Sequence, residues 1–360
     1  MTRRTGISLG LAALVCCALG LAWLFFPRPA EPQPEHYRVE YEVPTVEAAL
    51  WFAARYPQYF KSGETELDTW LDRLHPRDRE FVLAMAQSLM WAWVEHELAF
   101  FEGEDPVELA LEASVVVRGK TISQLEAHIG ELGEAEGMNL WAFVGDPLFG
   151  AGVFGRLVRG ASNCEGQNHF VAVLLDSAFE RGASWVPGLE AHMVGVPGGH
   201  EIARITGPTL AQPILVDAWA NLPPFSVDPG HHRLAPLLSE LGDAPPPVIP
   251  GLVGRTPHPV EAYVNSRGLP IPLVPARRAP SKPVDLEISA PALDGASLAR
   301  IRDPWKIYLF ARILHIYDDP RAPELYAFIL DHHCETIQKE RAFVCTMTRL
   351  LAPRVESAGL

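Results

Sequence analysis

Ser162-Asn163-Cys164-Glu165 opens the stretch that most constrains how this chain can fold. Ser-x-x-Glu is a capping box, in which a hydroxyl at the N-cap and a carboxylate at the third helical position satisfy free backbone N–H groups reciprocally. Phe170, Val171, Leu174, Leu175 and Ala178 follow on one helical face. The spacing predicts an amphipathic helix with Ser162 as its cap and Cys164 in its first turn. The periodicity then changes. Val194 to Ile205 reads as a hairpin turning at Gly198-Gly199, with His200 opening its second strand. Pro213 to Trp219 reads as a further short strand with Asp217 near its end. A helix followed at once by antiparallel strands makes the fold α+β.

A cysteine at a helix start is placed for nucleophilic chemistry. The unpaired N–H groups and the positive end of the helix favour the thiolate, the attacking form. Such a thiol needs a base, and the base needs a group to orient it. Two adjacent antiparallel strands would set His200 and Asp217 side by side and present the imidazole to Cys164. His192 is the alternative base, but it spoils that two-strand arrangement. Glu165 is better explained as the capping partner than as a catalytic acid. The sequence does not place an oxyanion donor; Gln167 and Trp141 are the candidates, and Trp219 follows Asp217 as a further supporting residue.

The order Cys, His, Asp in CEGQNHFVAVLL (Cys164–Leu175), HEIARI (His200–Ile205) and ILVDAW (Ile214–Trp219) resembles the transglutaminase-like core of the papain-like superfamily. The resemblance runs from Asn163 to Asn221 and departs from the family's habit at Ile202, where an aromatic is common. It implies a helix bearing Cys164 packed on an antiparallel sheet bearing His200 and Asp217, with helical flanks on both sides. It also implies a cysteine enzyme acting on amide bonds of proteins or peptides, by hydrolysis or deamidation in preference to acyl transfer to an amine, without a cofactor. Two rivals share parts of the pattern. An arylamine N-acetyltransferase has the same residue order but needs acetyl-CoA; an envelope-binding module would use the helical flanks and no chemistry.

The rest of the chain frames that core. Gly6 to Phe26 is apolar and uncharged, long enough at about 1.5 Å per residue to cross a bilayer's hydrocarbon core. Arg3 and Arg4 precede it, and no acid lies before Pro27. These features predict a signal-anchor over 1–26, a Pro-rich tether over 27–44, and a body held outside the cytoplasm at the inner membrane. Helical periodicity fills 45–135, the core with a Pro-rich extension fills 136–294, and helices return over 295–360. The formal charge of −14 gives no surplus to neutralise phosphates, which excludes a general nucleic-acid binder. Cys334 and Cys345 pair only if the chain turns between them; on one continuous helix they would stand about 16 Å apart. Asp331-His332-His333-Cys334 does not read as a metal set, because adjacent helical residues diverge by about 100°. His231-His232 lies in a Pro/Gly loop with no ligand framework around it.

Overall fold

The computed structural model describes residues 37–41, 45–61, 64–123, 152–196, 200–228, 233–236, 269–271, 282–334 and 342–358. Met1–His36 and Tyr37–Leu360 are separate compact units, and the first lies wholly outside the described residues. Trp141, His231, His232 and most of the Pro-rich extension also lie outside them. The expected membrane-spanning helix requires correction. Among the described residues no helix is long and apolar enough to cross a membrane, and Gly6–Phe26 is not described. The anchor therefore takes no part in the functional reading below. Part of the expected tether is ordered strand instead. β1 (Tyr37–Tyr41) pairs in parallel with β10 (Lys282–Leu286), Val39 opposite Val284. The Tyr-x-Val-x-Tyr alternation there is a strand pattern that the surrounding prolines obscured.

Helices dominate the first part of the body. α1 (Thr45–Arg55), α2 (Gln58–Lys61) and α3 (Glu64–Leu71) precede the long α4 (Pro76–Leu98) and α5 (Pro106–Lys120). Pro at the first helical position, where no N–H is needed, starts both long helices. The His75 ring caps α4 and the Asp105 carboxylate caps α5. A two-residue strand β2 (Ile122–Ser123) pairs in parallel with β3 (Ala161–Ser162), which follows the short helix α6 (Val153–Arg159). β3 leads straight into α7 (Cys164–Glu180).

One antiparallel sheet follows, ordered β8-β7-β6-β5-β4-β9. Its strands are β4 (Glu190–Val196), β5 (His200–Thr206), β6 (Ile214–Asp217), β7 (Leu222–Asp228), β8 (Arg233–Pro236) and β9 (Leu269–Ile271). The expected hairpin is present, with Val196 opposite His200. The chain ends in α8 (Gly295–Leu298), α9 (Pro304–Ile316), α10 (Ala322–His333) and α11 (Ala342–Ala358). Cys334 and Cys345 form a disulfide, Cα to Cα 5.7 Å. α10 ends at His333 and α11 begins at Ala342, so the pair does not lie on one helix.

The α+β class is as expected, but α7 is more than a surface helix with one apolar face. Every residue from Gly166 to Leu175 is buried. The helix lies against β4, β5 and β6 on the sheet and against α4 and α5 on the helical layer. Trp93 of α4 meets Phe170 edge to face, centroids 5.8 Å apart. Cys164, partly exposed, stands at the start of this enclosed helix.

Candidate active site

The start of α7 is built one residue later than the capping box suggests. Asn163, with extended backbone, is the N-cap, and its Oδ1 accepts from Gly166 N at 2.9 Å. Ser162 instead belongs to β3 and is buried, and its Oγ finds no partner among the described residues. Asn is at least as good a cap as Ser, and the strand pairing of Ser162 removes it from competition. Cys164 therefore occupies the first helical position, a free and partly exposed thiol. Gly166 is required there. A Cβ on it would stand 2.4 Å from Ser162 Oγ and 2.8 Å from Ser162 Cβ.

The segment entering α7 is fixed from below. Gly160 closes α6 in the left-handed region, φ 79°. Its carbonyl accepts from Ile122 N at 2.7 Å, which sets the β2–β3 pairing. A Cβ on Gly160 would meet Arg312 Nε at 2.6 Å, so a side chain there would be both strained and obstructed.

The sheet brings up the other two residues. β5 and β6 pair with Ala203 opposite Val216 and Ile205 opposite Ile214, carrying His200 and Asp217 to the same end. A bulge in the β6–β7 pairing between Leu215 and Asp217 re-aims the last residue of β6. His200 Nε2 and Asp217 Oδ2 are 2.7 Å apart, with Asp217 fully buried and His200 nearly so. The Trp219 ring lies beside the imidazole, centroids 5.2 Å apart and tilted by 49°.

The electrostatics of this pair are strong. Burial, the largest influence on His200, pulls its pKa down. The charge and hydrogen bond of Asp217, followed by the hydrogen bond and charge of Cys164, outweigh burial and raise His200 to about 10. Burial likewise pushes Asp217 up, but the His200 charge and hydrogen bond, helped by Asn168 and the Ala220 N–H, hold its carboxyl below the usual range. The imidazole is thus hydrogen-bonded both to the Asp217 carboxylate, through Nε2, and to Cys164. Beside it, burial and then the Glu165 carboxylate raise Glu201 to about 7, against the pull of His200.

The structure brings Cys164, His200, Asp217 and Trp219 together. It does not bring Gln167 to the sulfur as a free donor. Gln167 is buried, and its Nε2 donates to Thr121 Oγ1 at 3.1 Å. His192 lies away from the site, 3.2 Å from the Glu190 carboxylate. The Asp331–Cys334 run is a helix end closed by the disulfide, where His332 stacks on Phe328 at 4.3 Å. One other group of possible metal ligands exists among the described residues, His96, Glu97 and Asp318. Lys120 Nζ reaches into it, bonded to Asp318 and 3.9 Å from Glu97, so an ammonium already supplies the positive charge.

Sequence reasoning missed Asn168. It lies on α7 four residues after Cys164 and bonds to Asp217 at 3.0 Å. The available sequence clue was an amide inside an apolar helical run, at the spacing that shares a face with the cysteine.

No protein-family model, curated protein sequence or solved structure matches this chain. No relative thus supplies evidence for protease or acyltransferase activity. The chemistry has to be read from the site itself.

Proposed function

We propose that this protein is a cysteine hydrolase with a papain/transglutaminase-like core, acting on amide bonds of protein or peptide substrates through Cys164, His200 and Asp217. The observation that carries the reading is the 2.7 Å His200–Asp217 pair together with the hydrogen bond between His200 and Cys164, which sits at the first position of a capped helix. Asp217 holds the imidazole and supports its protonated form, and the imidazolium faces the sulfur.

In this mechanism the Cys164 sulfur attacks the amide carbonyl carbon and the carbonyl oxygen takes up the negative charge. N–H groups in the first turn of α7, next to Cys164, are the donors that would take up such charge. As the C–N bond breaks, the amine leaves with the proton from His200, and a thioester remains on Cys164. Water then attacks the thioester and gives a proton to His200; the C–S bond breaks, the acid is released and the thiolate–imidazolium pair is restored. No step calls for a metal or cofactor. The Cys334–Cys345 bond belongs to the kind of structural disulfide found in oxidising compartments, which supports a body outside the cytoplasm.

Alkylation of the folded protein tests the reading. Iodoacetamide should label Cys164 in wild type at pH 6 at least about tenfold faster than in His200→Ala, with the difference shrinking toward pH 9. Equal rates at both pH values would sink the enzyme and leave a binding module on the same scaffold.

A further inference from the structure

Asn168 is fully buried on α7, one helical turn beyond Cys164. Its Nδ2 donates to Asp217 Oδ1 at 3.0 Å and to the Glu201 carbonyl at 2.8 Å. Its Oδ1 accepts from Ala218 N at 2.8 Å. Turning the amide over would set its oxygen against a carboxylate and a carbonyl, and its N–H groups against another N–H. Only one orientation therefore satisfies the site. The partners lie on both strands of the candidate triad. Glu201 follows His200 on β5, while Asp217 closes β6 and Ala218 follows it.

Resting on the catalytic reading above, we propose that Asn168 is a positioning residue that locks the nucleophile's helix in register with the base-bearing and orienter-bearing strands. Asp217 has its Oδ2 on His200, and its Oδ1 accepts from Asn168 and, at 3.2 Å, from Ala220 N. Without Asn168 the carboxylate keeps only the longer of its two Oδ1 partners and can rotate away from the ring. The same loss removes a side chain that ties α7 to both strands at the level of the triad. A substitution here therefore acts on the reaction through Asp217 and His200, without touching substrate.

The imidazole itself reports this role. Cys164, Asp217 and Glu201 are the titratable groups acting on His200, and Glu165 acts in turn on Glu201. His200 is followed by NMR of ring-15N-histidine protein, its signal identified by its loss in His200→Gln. In wild type it should titrate near 10. In Asn168→Ala the midpoint should fall by about one unit, a tenfold loss of proton affinity. Asn168→Asp keeps the shape but sets a second carboxyl against Asp217. Its melting-temperature deficit should therefore grow as pH rises above about 4, because the folded state must keep that carboxyl protonated. An unchanged His200 midpoint in Asn168→Ala, or a deficit in Asn168→Asp that is flat with pH, would overturn the proposal and make Asn168 a packing residue. A wild-type His200 that titrates near its ordinary 6.5 would overturn the catalytic pairing first, a result that needs no change at Asn168 to see.

Discussion

His200 is charged in a place that should neutralise it, and the fold keeps the charge by supplying Asp217 from the next strand. That has a consequence for stability. A histidine raised from 6.5 to about 10 on folding contributes stability fully below pH 6.5, and loses it progressively as pH rises through 10. Asp217, held low, contributes above the ordinary carboxylate range and loses its contribution as pH falls through its folded value. The pair therefore predicts greatest stability on the mildly acid side of neutral. Asp217→Asn removes the charge that holds the imidazolium, and at pH 6 it should cost about 3 kcal/mol. It should also flatten the decline between pH 6.5 and 10, because burial alone would leave the ring neutral. Urea unfolding across that range checks both, and identical slopes for the two proteins would refute the ion pair. Cys164, His200 and Asp217 were legible in the sequence because each is a chemically distinct residue on a recognisable local pattern. Asn168 was not. Polar residues interrupt most amphipathic helices harmlessly, and only the enclosure of α7 on two sides makes an amide at that position informative.

At the scale of elements, the join between β3 and α7 sets where the sulfur points. β3 is held to β2 by Ile122 opposite Ala161 and Ser123 opposite Ser162, so Ser162 cannot move without breaking that pairing. α7 then begins two residues later, with Gly166 directly over the Ser162 side chain. Gly166→Ala should cost about 1–3 kcal/mol by overpacking, and it should slow Cys164 labelling by tilting the first turn. Ser162→Gly removes both atoms that the new methyl would meet. The double variant should therefore recover most of the loss, a non-additive result that thermal unfolding can measure. Additive losses would show that the glycine serves something other than this contact. The Cys-x-Gly spacing was visible in the sequence, but its reason was not, because the capping box put Ser162 on the helix. Two adjacent cap residues compete there, and the strand that decides between them is completed by Ile122, on the far side of α6. The hairpin needed no such help: Gly198-Gly199 between strand-forming runs is a local turn pattern, and His200 opens the second strand as expected, opposite Val196.

Across the whole molecule, the C-terminal helices support the site without reaching it. Arg312 of α9 is fully buried. It donates to the Val158 and Leu157 carbonyls at 3.1 Å each and to the Lys120 carbonyl, the closing residues of α6 and α5. Tyr308 adds a bond to the Arg159 carbonyl at 2.6 Å. The C-termini of two helices thus converge on one guanidinium, which supplies donors to their last carbonyls and faces their negative ends. Directly above lies Gly160, then β3, then Cys164. Nη1 of Arg312 faces His315 Nδ1 at 2.8 Å and donates to Tyr326 Oη at 3.3 Å; burial, followed by the Arg312 charge, drives the His315 ring well below its ordinary value, leaving it neutral and able to accept. None of this was legible, because the helical periodicity of α9 labels Arg312 only as a charge within an apolar run, and its partners lie half the chain away. Arg312→Met fills the space but takes the donor from the Val158 and Lys120 carbonyls and leaves Leu157 with the Gly160 N–H alone, and should cost more than about 3 kcal/mol. It should also slow Cys164 labelling at pH 6 although it lies outside the triad. Arg312→Lys separates the two contributions. An ammonium restores the charge at the helix ends but cannot fork to three carbonyls and an imidazole together. If the fork is what holds α6 under the nucleophile, the lysine variant should stay nearer to methionine than to wild type in both unfolding and labelling. Full recovery by lysine would mean that the charge alone carries the support, and that the C-terminal layer acts on the site through the helix ends rather than through the geometry of Gly160.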